Sequence, residues 1–326
     1  FGDSTLSGGA GSDTITGGFG ADQMDGGDDS DVFVVKDGFG SDTIIGGEGI
    51  TTGTDDDVLD LSNLSGAASV EYSADYGGTI TDGADTINFS EIETIVGTKQ
   101  NDRFDLGEFS GNVSAGGGND TIVDVVNGSV DAGEGDDLIE VDHGSDSVSI
   151  TGGEGTDTLR FDGDGAEGIS VSLAASESGT FGWPTAGDGS FSGIDYYDLS
   201  AMDDTIDGSS ASAEFRADGD GGNDSMVGGA GDDTLEGGTG NDVITGGSGD
   251  DFFVFNVGDG ADTITDFNAG NSGSTADGDT TNNDFIDLSN FYNHIGELRA
   301  AFSADGILNQ STSTTEGGDV DYSGKS

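Results

Sequence analysis

Aspartate residues recur at a nine-residue spacing in two parts of this sequence. From Gly228 three units follow one another without a gap, GGAGDDTLE, GGTGNDVIT and GGSGDDFFV, and from Gly8 the chain reads GGAGSDTIT, GGFGADQMD and GGDDSDVFV. Position 6 of every unit is Asp. Carboxylate and carbonyl oxygens are the ligands that Ca²⁺ selects, and glycines near the start of the unit permit a turn that exposes its carbonyls. The pattern therefore predicts a row of oxygen-lined cation sites.

The last three residues of each unit predict the short strand that positions this turn. Position 8 is apolar and position 9 is usually polar, which is the alternation of a strand with one buried face. A single unit cannot bury its apolar residue alone, so the units must stack on one another. We expect position 8 to point inward at Ile15, Met24, Phe33, Met226, Leu235, Ile244 and Phe253.

Looser copies of the unit fill the middle of the chain, such as AGGGNDTIV from Ala115, AGEGDDLIE from Ala132 and GGEGTDTLR from Gly152. Two degenerate units keep an apolar residue and lose the acid. Gly111 stands at position 6 before Val113, and we align Ala213 with position 6 before Phe215. We expect the stacked coils to continue through these units, with the cation missing on one edge.

The consensus of these units, G-G-x-G-x-D-x-U-x with U apolar, resembles that of the RTX (repeats-in-toxin, hemolysin-type) calcium-binding nonapeptides of secreted bacterial proteins. The resemblance implies an all-β fold, a right-handed parallel β-roll in which two nonapeptides make one turn. It also implies roughly ten Ca²⁺ ions, each held between loops stacked on the same edge by Asp side chains and glycine-loop carbonyls.

Carried onto this chain, the resemblance gives two sets of metal ligands. The carboxylate ligands would be Asp13, Asp22, Asp31, Asp42, Asp102, Asp120, Asp137, Asp157, Asp204, Asp224, Asp233, Asp242, Asp251 and Asp262. The glycine-loop ligands would be Gly9, Gly11, Gly18, Gly20, Gly229, Gly231, Gly238, Gly240, Gly247 and Gly249. Ser4 departs from the pattern at position 6, so we expect a weaker or empty site there. The chain starts within a unit, so we expect further repeats upstream.

Composition supports a fold that needs a counter-charge. The chain has 66 acidic and 7 basic residues, a formal charge of −59, and only 31% apolar residues. Such a chain should stay disordered without added cations, because burial does not offset ordering entropy and self-repulsion. An acidic Gly/Asp linker or a halophilic surface would share this composition, but neither would keep a nine-residue frame. The charge excludes nucleic acid and anionic membranes as partners, and no apolar run could span a bilayer.

The chain divides by repeat quality into alternating segments. We predict a β-roll block at 1–45, a β-rich insertion at 46–96, a degenerate block at 97–160, a second insertion at 161–198, the best block at 199–265, and a capping region with a polar tail at 266–326. The first insertion should hold strands at Val70–Tyr72, Thr79–Thr81 and Thr86–Phe89, and Ile169, Val171 and Leu173 alternate in the second.

A short helix is expected at Ile295–Phe302. Two related segments, FSEIE from Phe89 and FSGID from Phe191, each lead from an insertion back into repeats.

No catalytic motif occurs in the sequence, so we expect no enzymatic activity. The chain has no H-E-x-x-H zinc motif, no G-x-S-x-G elbow, no P-loop and no EF-hand loop. With no cysteine, thiolate metal sites are also excluded.

These observations favour a calcium-binding extracellular structural protein that folds on Ca²⁺ after type I secretion from a bacterium, as part of an adhesin, surface layer or matrix. The alternatives are an accessory domain of a larger secreted protease, lipase or epimerase, and a segment that precedes a self-splicing module. Cell-surface polymers and copies of the chain itself are the candidate partners besides Ca²⁺.

Overall fold

A computed structural model describes residues 2–47, 55–74, 76–107, 109–144, 147–162, 167–174, 177–185, 187–267 and 284–287, together with the backbone of 308–309 and 319–320. Every regular element among these residues is a β-strand. The chain forms two compact units, Phe1–Leu159 with Gly187–Ile194 and Arg160–Ala186 with Asp195–Ser326.

The strands are short, from two to seven residues long. Up to residue 162 they are β1 Thr5–Ala10, β2 Thr14–Ile15, β3 Gln23–Asp28, β4 Val32–Val34, β5 Ser41–Ile45, β6 Val58–Asp60, β7 Ser69–Ala74, β8 Gly77–Asp82, β9 Asp85–Ser90, β10 Thr94–Val96, β11 Arg103–Asp105, β12 Asn112–Gly117, β13 Thr121–Val125, β14 Ser129–Glu134, β15 Leu138–Asp142, β16 Val148–Glu154 and β17 Thr158–Asp162.

The remaining strands are β18 Ser170–Leu173, β19 Ser178–Gly182, β20 Asp188–Ser192, β21 Tyr196–Asp198, β22 Thr205–Asp207, β23 Arg216–Asp218, β24 Ser225–Val227, β25 Thr234–Glu236, β26 Val243–Thr245, β27 Phe252–Val254, β28 Thr263–Ile264, β29 Phe285–Asp287, β30 Leu308–Asn309 and β31 Asp319–Val320. The last two pair with each other antiparallel.

Successive coils in the first unit contribute strands alternately to two sheets. One sheet has the order β1-β3-β5-β9-β8-β7-β11-β13-β15 and the other β2-β4-β6-β10-β12-β14-β16-β20. In the second unit the orders are β21-β23-β25-β27-β29 and β19-β18-β22-β24-β26-β28. Neighbouring coils pair in parallel, with position 8 facing position 8, as at Leu235↔Phe253. The predicted all-β fold, a parallel β-roll, is confirmed.

The core is the column of position-8 side chains between the sheets. The seven residues predicted to point inward are all buried, with Ile15 the most exposed at 7%. Degenerate coils keep this column: Val113 is 3% exposed, and its strand pairs in parallel with the strands before and after it. The predicted continuity of the coils through the middle is therefore confirmed.

One predicted alignment was wrong by two residues. In the degenerate unit near 215, Ala217 rather than Phe215 is the inward residue of β23, facing Leu235 in the next coil. Position 6 therefore falls on Phe215, not on Ala213. The error arose because the bulky Phe215 looked like the core residue, whereas a small alanine fills that place.

Both insertions add antiparallel strands to a sheet. β7, β8 and β9 form a meander, with β9 parallel to β5 and β7 parallel to β11. This confirms the three strands predicted there. In the second unit β18 pairs antiparallel with β19 and parallel with β22, and the alternating Ile169, Val171 and Leu173 are all buried.

The helix expected at Ile295–Phe302 lies outside the described residues. Within the described part of the chain, no helix is long and apolar enough to cross a membrane. The boundaries given for the six segments stay predictions.

Candidate metal sites

The position-6 residues stack into rows, one row along each edge of the coils. We name each row by one of its aspartates. In the first unit the meander β7–β9 divides the Asp22 edge, which contains Ser4, Asp22 and Asp42 on one side of the meander and Ala68, Asp102, Asp120, Asp137 and Asp157 on the other. The Asp13 edge contains Asp13, Asp31, Asp57, Glu93, Gly111, Gly128 and Val148. In the second unit the Asp204 edge contains Ile169, Asp204, Asp224, Asp242 and Asp262, and the Asp233 edge contains Asp195, Phe215, Asp233, Asp251 and Asp284.

A hydrogen-bond ladder holds each acidic row. The backbone N–H at position 6 donates to the carboxylate Oδ1 of the position-6 Asp one coil later. Examples are Asp22 to Asp42 at 2.8 Å and Asp204 to Asp224 at 2.7 Å. The rule holds even where the donor is not an acid, since Ser4 N–H donates to Asp22 Oδ1 at 2.7 Å. One carboxylate oxygen per coil is therefore used to fix the loop, and the other is left over.

The second oxygen is buried without a protein donor in most of these carboxylates. Among the described residues, Oδ2 has no hydrogen-bond partner in Asp22, Asp31, Asp57, Asp120, Asp137, Asp224, Asp242 and Asp251. All eight side chains are at most 2% exposed. A buried carboxylate oxygen without a partner is costly, and a coordinated cation is one of the few groups that offset the cost.

Backbone carbonyls approach these carboxylates from the next coil. A Cβ built on Gly8, at position 1, would lie 2.7 Å from Asp13 Oδ2 and 2.6 Å from the carbonyl oxygen of Gly26. Gly219 shows the same convergence of Asp224 Oδ2 with the Gly237 carbonyl. Each gap between stacked loops thus brings together oxygens from two coils, the hard donor set that suits Ca²⁺.

Burial disfavours the ionised form of many of these carboxylates when no cation is bound. Desolvation raises the pKa of Asp42, Asp137, Asp233 and Asp251 to about 6, of Asp57, Asp120 and Asp204 to about 7, and of Asp224 to about 8. Neighbouring carboxylates in the row add to the rise, as Asp204 and Asp242 do for Asp224. Bound Ca²⁺ would reverse this effect, because a nearby divalent charge keeps the carboxylates ionised.

The predicted carboxylates all lie on the four edges. Every one except the half-buried Asp13 is buried, with at most 2% exposure. Three differ in their second oxygen, which accepts a protein hydrogen bond: Asp102 from Thr98, Asp204 from Ser200 and Asp233 from Gly229. At Asp102 and Asp204 a hydroxyl group also donates, from Thr98 Oγ1 and Ser200 Oγ, each at 2.8 Å.

The predicted glycines lie at positions 2 and 4 of the loops. Gly9, Gly11, Gly18, Gly20, Gly238, Gly240, Gly247 and Gly249 have positive φ, whereas Gly229 and Gly231 do not. Positions 2 and 4 also stack closely: a Cβ on Gly247 or Gly249 would overlap the carbonyl oxygen of Gly229 or Gly231 one coil earlier. Calcium ligation by the predicted aspartates and glycines stays a prediction.

Sequence reasoning missed four acids on these edges, Asp57, Glu93, Asp195 and Asp284. Asp31 N–H donates to Asp57 Oδ1 at 2.7 Å, and Asp57 N–H donates to Glu93 Oε2 at 2.8 Å. Asp284 receives a longer bond from Asp251 N–H at 3.4 Å. None lies five residues after the first glycine of a G-G-x-G loop, but each has an apolar or aromatic residue two places later, at Leu59, Ile95, Tyr197 and Ile286. That spacing was the signal that could have found them.

The nonapeptide loops match a known family of repeats. The family model of the RTX calcium-binding nonapeptide repeat matches in four copies, over residues 1–33 and 218–253. A search of the curated proteins found no match. The chain therefore contains RTX repeats in the two regions where the nine-residue frame is tightest. Repeats of this family bind Ca²⁺ and are typical of secreted bacterial proteins.

Proposed function

We propose that, at neutral or higher pH, this calcium-binding RTX repeat protein folds only when Ca²⁺ fills its loop stacks outside the cell, and that it then serves as a non-catalytic structural segment of an adhesin, surface layer or matrix. The observation that carries the proposal is the ladder of buried carboxylates, each with one oxygen bonded to the previous coil and most with the other unpartnered.

Repulsion between the stacked carboxylates explains why the chain would fold only after Ca²⁺ binds. Stacking the coils places carboxylates one strand spacing apart, about 4.8 Å, in a chain whose formal charge is already −59. Like charges at that separation repel strongly when they are buried. A divalent ion between each pair of loops turns this repulsion into attraction. Because each ion joins two coils, the coils are expected to fold cooperatively.

The proposed location follows from calcium concentration. Extracellular Ca²⁺ modules bind at about 10⁻⁴ to 10⁻³ M, far above the calcium level inside a cell. The chain would therefore stay unfolded in the cytoplasm, as type I secretion of an unfolded polypeptide requires, and fold on release. A site at about ten times its dissociation constant contributes about 1.4 kcal/mol of stability.

Far-UV circular dichroism at pH 8 tests this proposal. The full chain in EDTA should give the spectrum of an unfolded polypeptide, and millimolar Ca²⁺ should restore a β-sheet spectrum with a sigmoidal dependence on concentration. Mg²⁺ at equal ionic strength is the control for screening, because its strict octahedral geometry suits these loops poorly. A chain that is β-rich in EDTA at pH 8, or that folds equally with Mg²⁺, would contradict calcium-coupled folding.

A further inference from the structure

The two related segments Phe89–Glu93 and Phe191–Asp195 have no role in the nonapeptide scheme. Each begins at the end of the last strand of an insertion, β9 or β20, and leads into the next coil. Neither contains the glycine-rich turn that precedes position 6 in the nonapeptides. In both segments the third residue has a left-handed backbone, φ 59° at Glu91 and φ 65° at Gly193. In both the fourth residue, Ile92 or Ile194, is fully buried.

The first segment reproduces the oxygen geometry of a repeat loop. A Cβ on Gly46 would overlap both the carbonyl oxygen of Glu91 and Asp57 Oδ2. One coil earlier, a Cβ on Gly26 would overlap Asp31 Oδ2 and meet the Gly46 carbonyl at 2.5 Å. The carbonyl of Glu91 therefore stands where a repeat places the carbonyl of its position-1 glycine.

The carboxylates at this junction complete the likeness. Asp57 is 0% exposed, and its Oδ2 has no hydrogen-bond partner among the described residues. Glu93 Oε2 accepts the Asp57 N–H at 2.8 Å, which is the bond that Oδ1 of an Asp makes in a repeat. The longer Glu side chain supplies the same acceptor from a turn that is several residues shorter.

The second segment repeats the arrangement. A Cβ on Gly152 would overlap the carbonyl oxygen of Gly193 and lie 2.5 Å from Asp157 Oδ2. Within the first unit Asp157 is the last acid of the Asp22 edge, and the segment after β20 that faces its loop is not a nonapeptide. The carbonyl that approaches it again comes from the third residue of an F-S-x-I segment.

We propose that each F-S-x-I segment closes a calcium site that no nonapeptide closes, the first with Asp57, the Glu91 carbonyl and Glu93, and the second with Asp157 and the Gly193 carbonyl. The inference rests on the proposed function, since it takes Ca²⁺ as the ion. These two ions join the coil before each insertion to the strand that returns from it, so the meander β7–β9 is held at its return end by metal as well as by strand pairing.

Calcium stoichiometry of the full chain, measured by native mass spectrometry, tests the first site. Glu93→Gln should bind one ion fewer than the parent protein, because the amide keeps the hydrogen bond to Asp57 and loses the charge. Glu93→Asp should keep the ion. Glu71→Gln, which removes an exposed acid from β7 of the same meander, is the matched control and should change nothing. Equal stoichiometry in Glu93→Gln and Glu71→Gln would overturn the site.

Two further measurements separate the possible failures. Asp120→Asn, at a repeat site, should also lose one ion. If it loses none, the proposed function fails, and if it loses one while Glu93→Gln loses none, only the present inference fails. Should Glu93→Gln not fold, the calcium-loaded parent protein decides the matter. Anomalous scattering should show an ion within about 2.6 Å of Asp57 Oδ2 and the Glu91 oxygen, and its absence would overturn the site.

Discussion

The coils between residues 97 and 157 have two edges with the same core and different loops. Along the Asp22 edge, position 6 is Asp102, Asp120, Asp137 and Asp157, and the carboxylate ladder is unbroken. Along the Asp13 edge the same coils have Gly111, Gly128 and Val148. The strands that follow this second edge still pair in parallel, and Val113, Val130 and Ile150 remain at most 3% exposed.

On the Asp13 edge, beside Gly111, an aromatic ring takes part of the space that a carboxylate and its ion would share. We call the stretch of this edge with Gly111, Gly128 and Val148 the bare edge. A Cβ on Gly111 would overlap the ring of Phe109, which is 5% exposed and stacks on Tyr72 at 3.9 Å between centroids. Phe215 acts similarly in the second unit. A Cβ on Gly208 would lie 2.8 Å from its ring, where other coils place Asp Oδ2. A loop stack can therefore be closed either by carboxylates, which need a counter-ion, or by a buried ring, which does not.

The largest expected effect is the loss of the folded acidic edges as pH rises in the absence of calcium. In the calcium-free folded chain, burial raises the pKa of Asp42 to about 6, of Asp120 to about 7 and of Asp224 to about 8, above the roughly 3.9 of an unfolded chain. The folded state then binds more protons than the unfolded state, so its stability is fully present near pH 4 and is lost as pH rises through 6 to 8. Far-UV circular dichroism in EDTA should show more β-sheet at pH 5 than at pH 8. A β-sheet signal that is constant or grows with pH would contradict the assignment.

Removing the Phe109 ring should lower the stability of the bare edge without changing the number of bound Ca²⁺ ions. Phe109→Ala should lower the free energy of unfolding in saturating Ca²⁺ by about 3–4 kcal/mol, because a buried ring is lost and a cavity is left. Urea unfolding measures the loss, and native mass spectrometry should give an unchanged ion count. A variant that also loses an ion would show that Phe109 closes a metal site rather than replacing one.

Removing one carboxylate from the Asp22 edge should lower stability only because one bound Ca²⁺ ion is lost. Asp120→Asn keeps an acceptor for the Asp102 N–H and loses a ligand, so we expect one ion fewer and about 2–3 kcal/mol less stability in Ca²⁺. Asp131→Asn, on the exposed face of β14, is the matched control and should stay within about 0.5 kcal/mol of the parent. Similar results for both variants would remove Asp120 from the list of ligands.

The smallest effect is the gain of a single ion. Phe215 N–H already donates to Asp233 Oδ1 at 3.1 Å, so the ladder passes through this coil without its own carboxylate. Phe215→Asp should add one Ca²⁺ to the native mass spectrum, and Phe215→Asn, which brings no charge, should add none. An unchanged count in Phe215→Asp would show that the ring holds the loop in a form that cannot accept metal.

The nine-residue frame made the ladder and the core predictable together, because it fixes Asp and the apolar residue two places apart in every coil. Asp57, Glu93, Asp195 and Asp284 escaped prediction because none stands in the nine-residue frame behind a G-G-x-G loop. Only the spacing of an acid two places before an apolar or aromatic residue remains. The rings of Phe109 and Phe215 and the hydroxyls of Thr98 and Ser200 could not be assigned from sequence. Their roles depend on which oxygen or gap they meet in space, and neighbouring residues in the chain do not determine that.

The most direct test is an anomalous difference map from crystals of the calcium-loaded protein. The account predicts ions within about 2.3–2.6 Å of Oδ2 of Asp120 and Asp137, and none on the opposite side of the same coils beside Gly111, Gly128 or Val148. Ions on both edges, or on neither, would contradict the claim that position-6 carboxylates decide where this β-roll binds calcium.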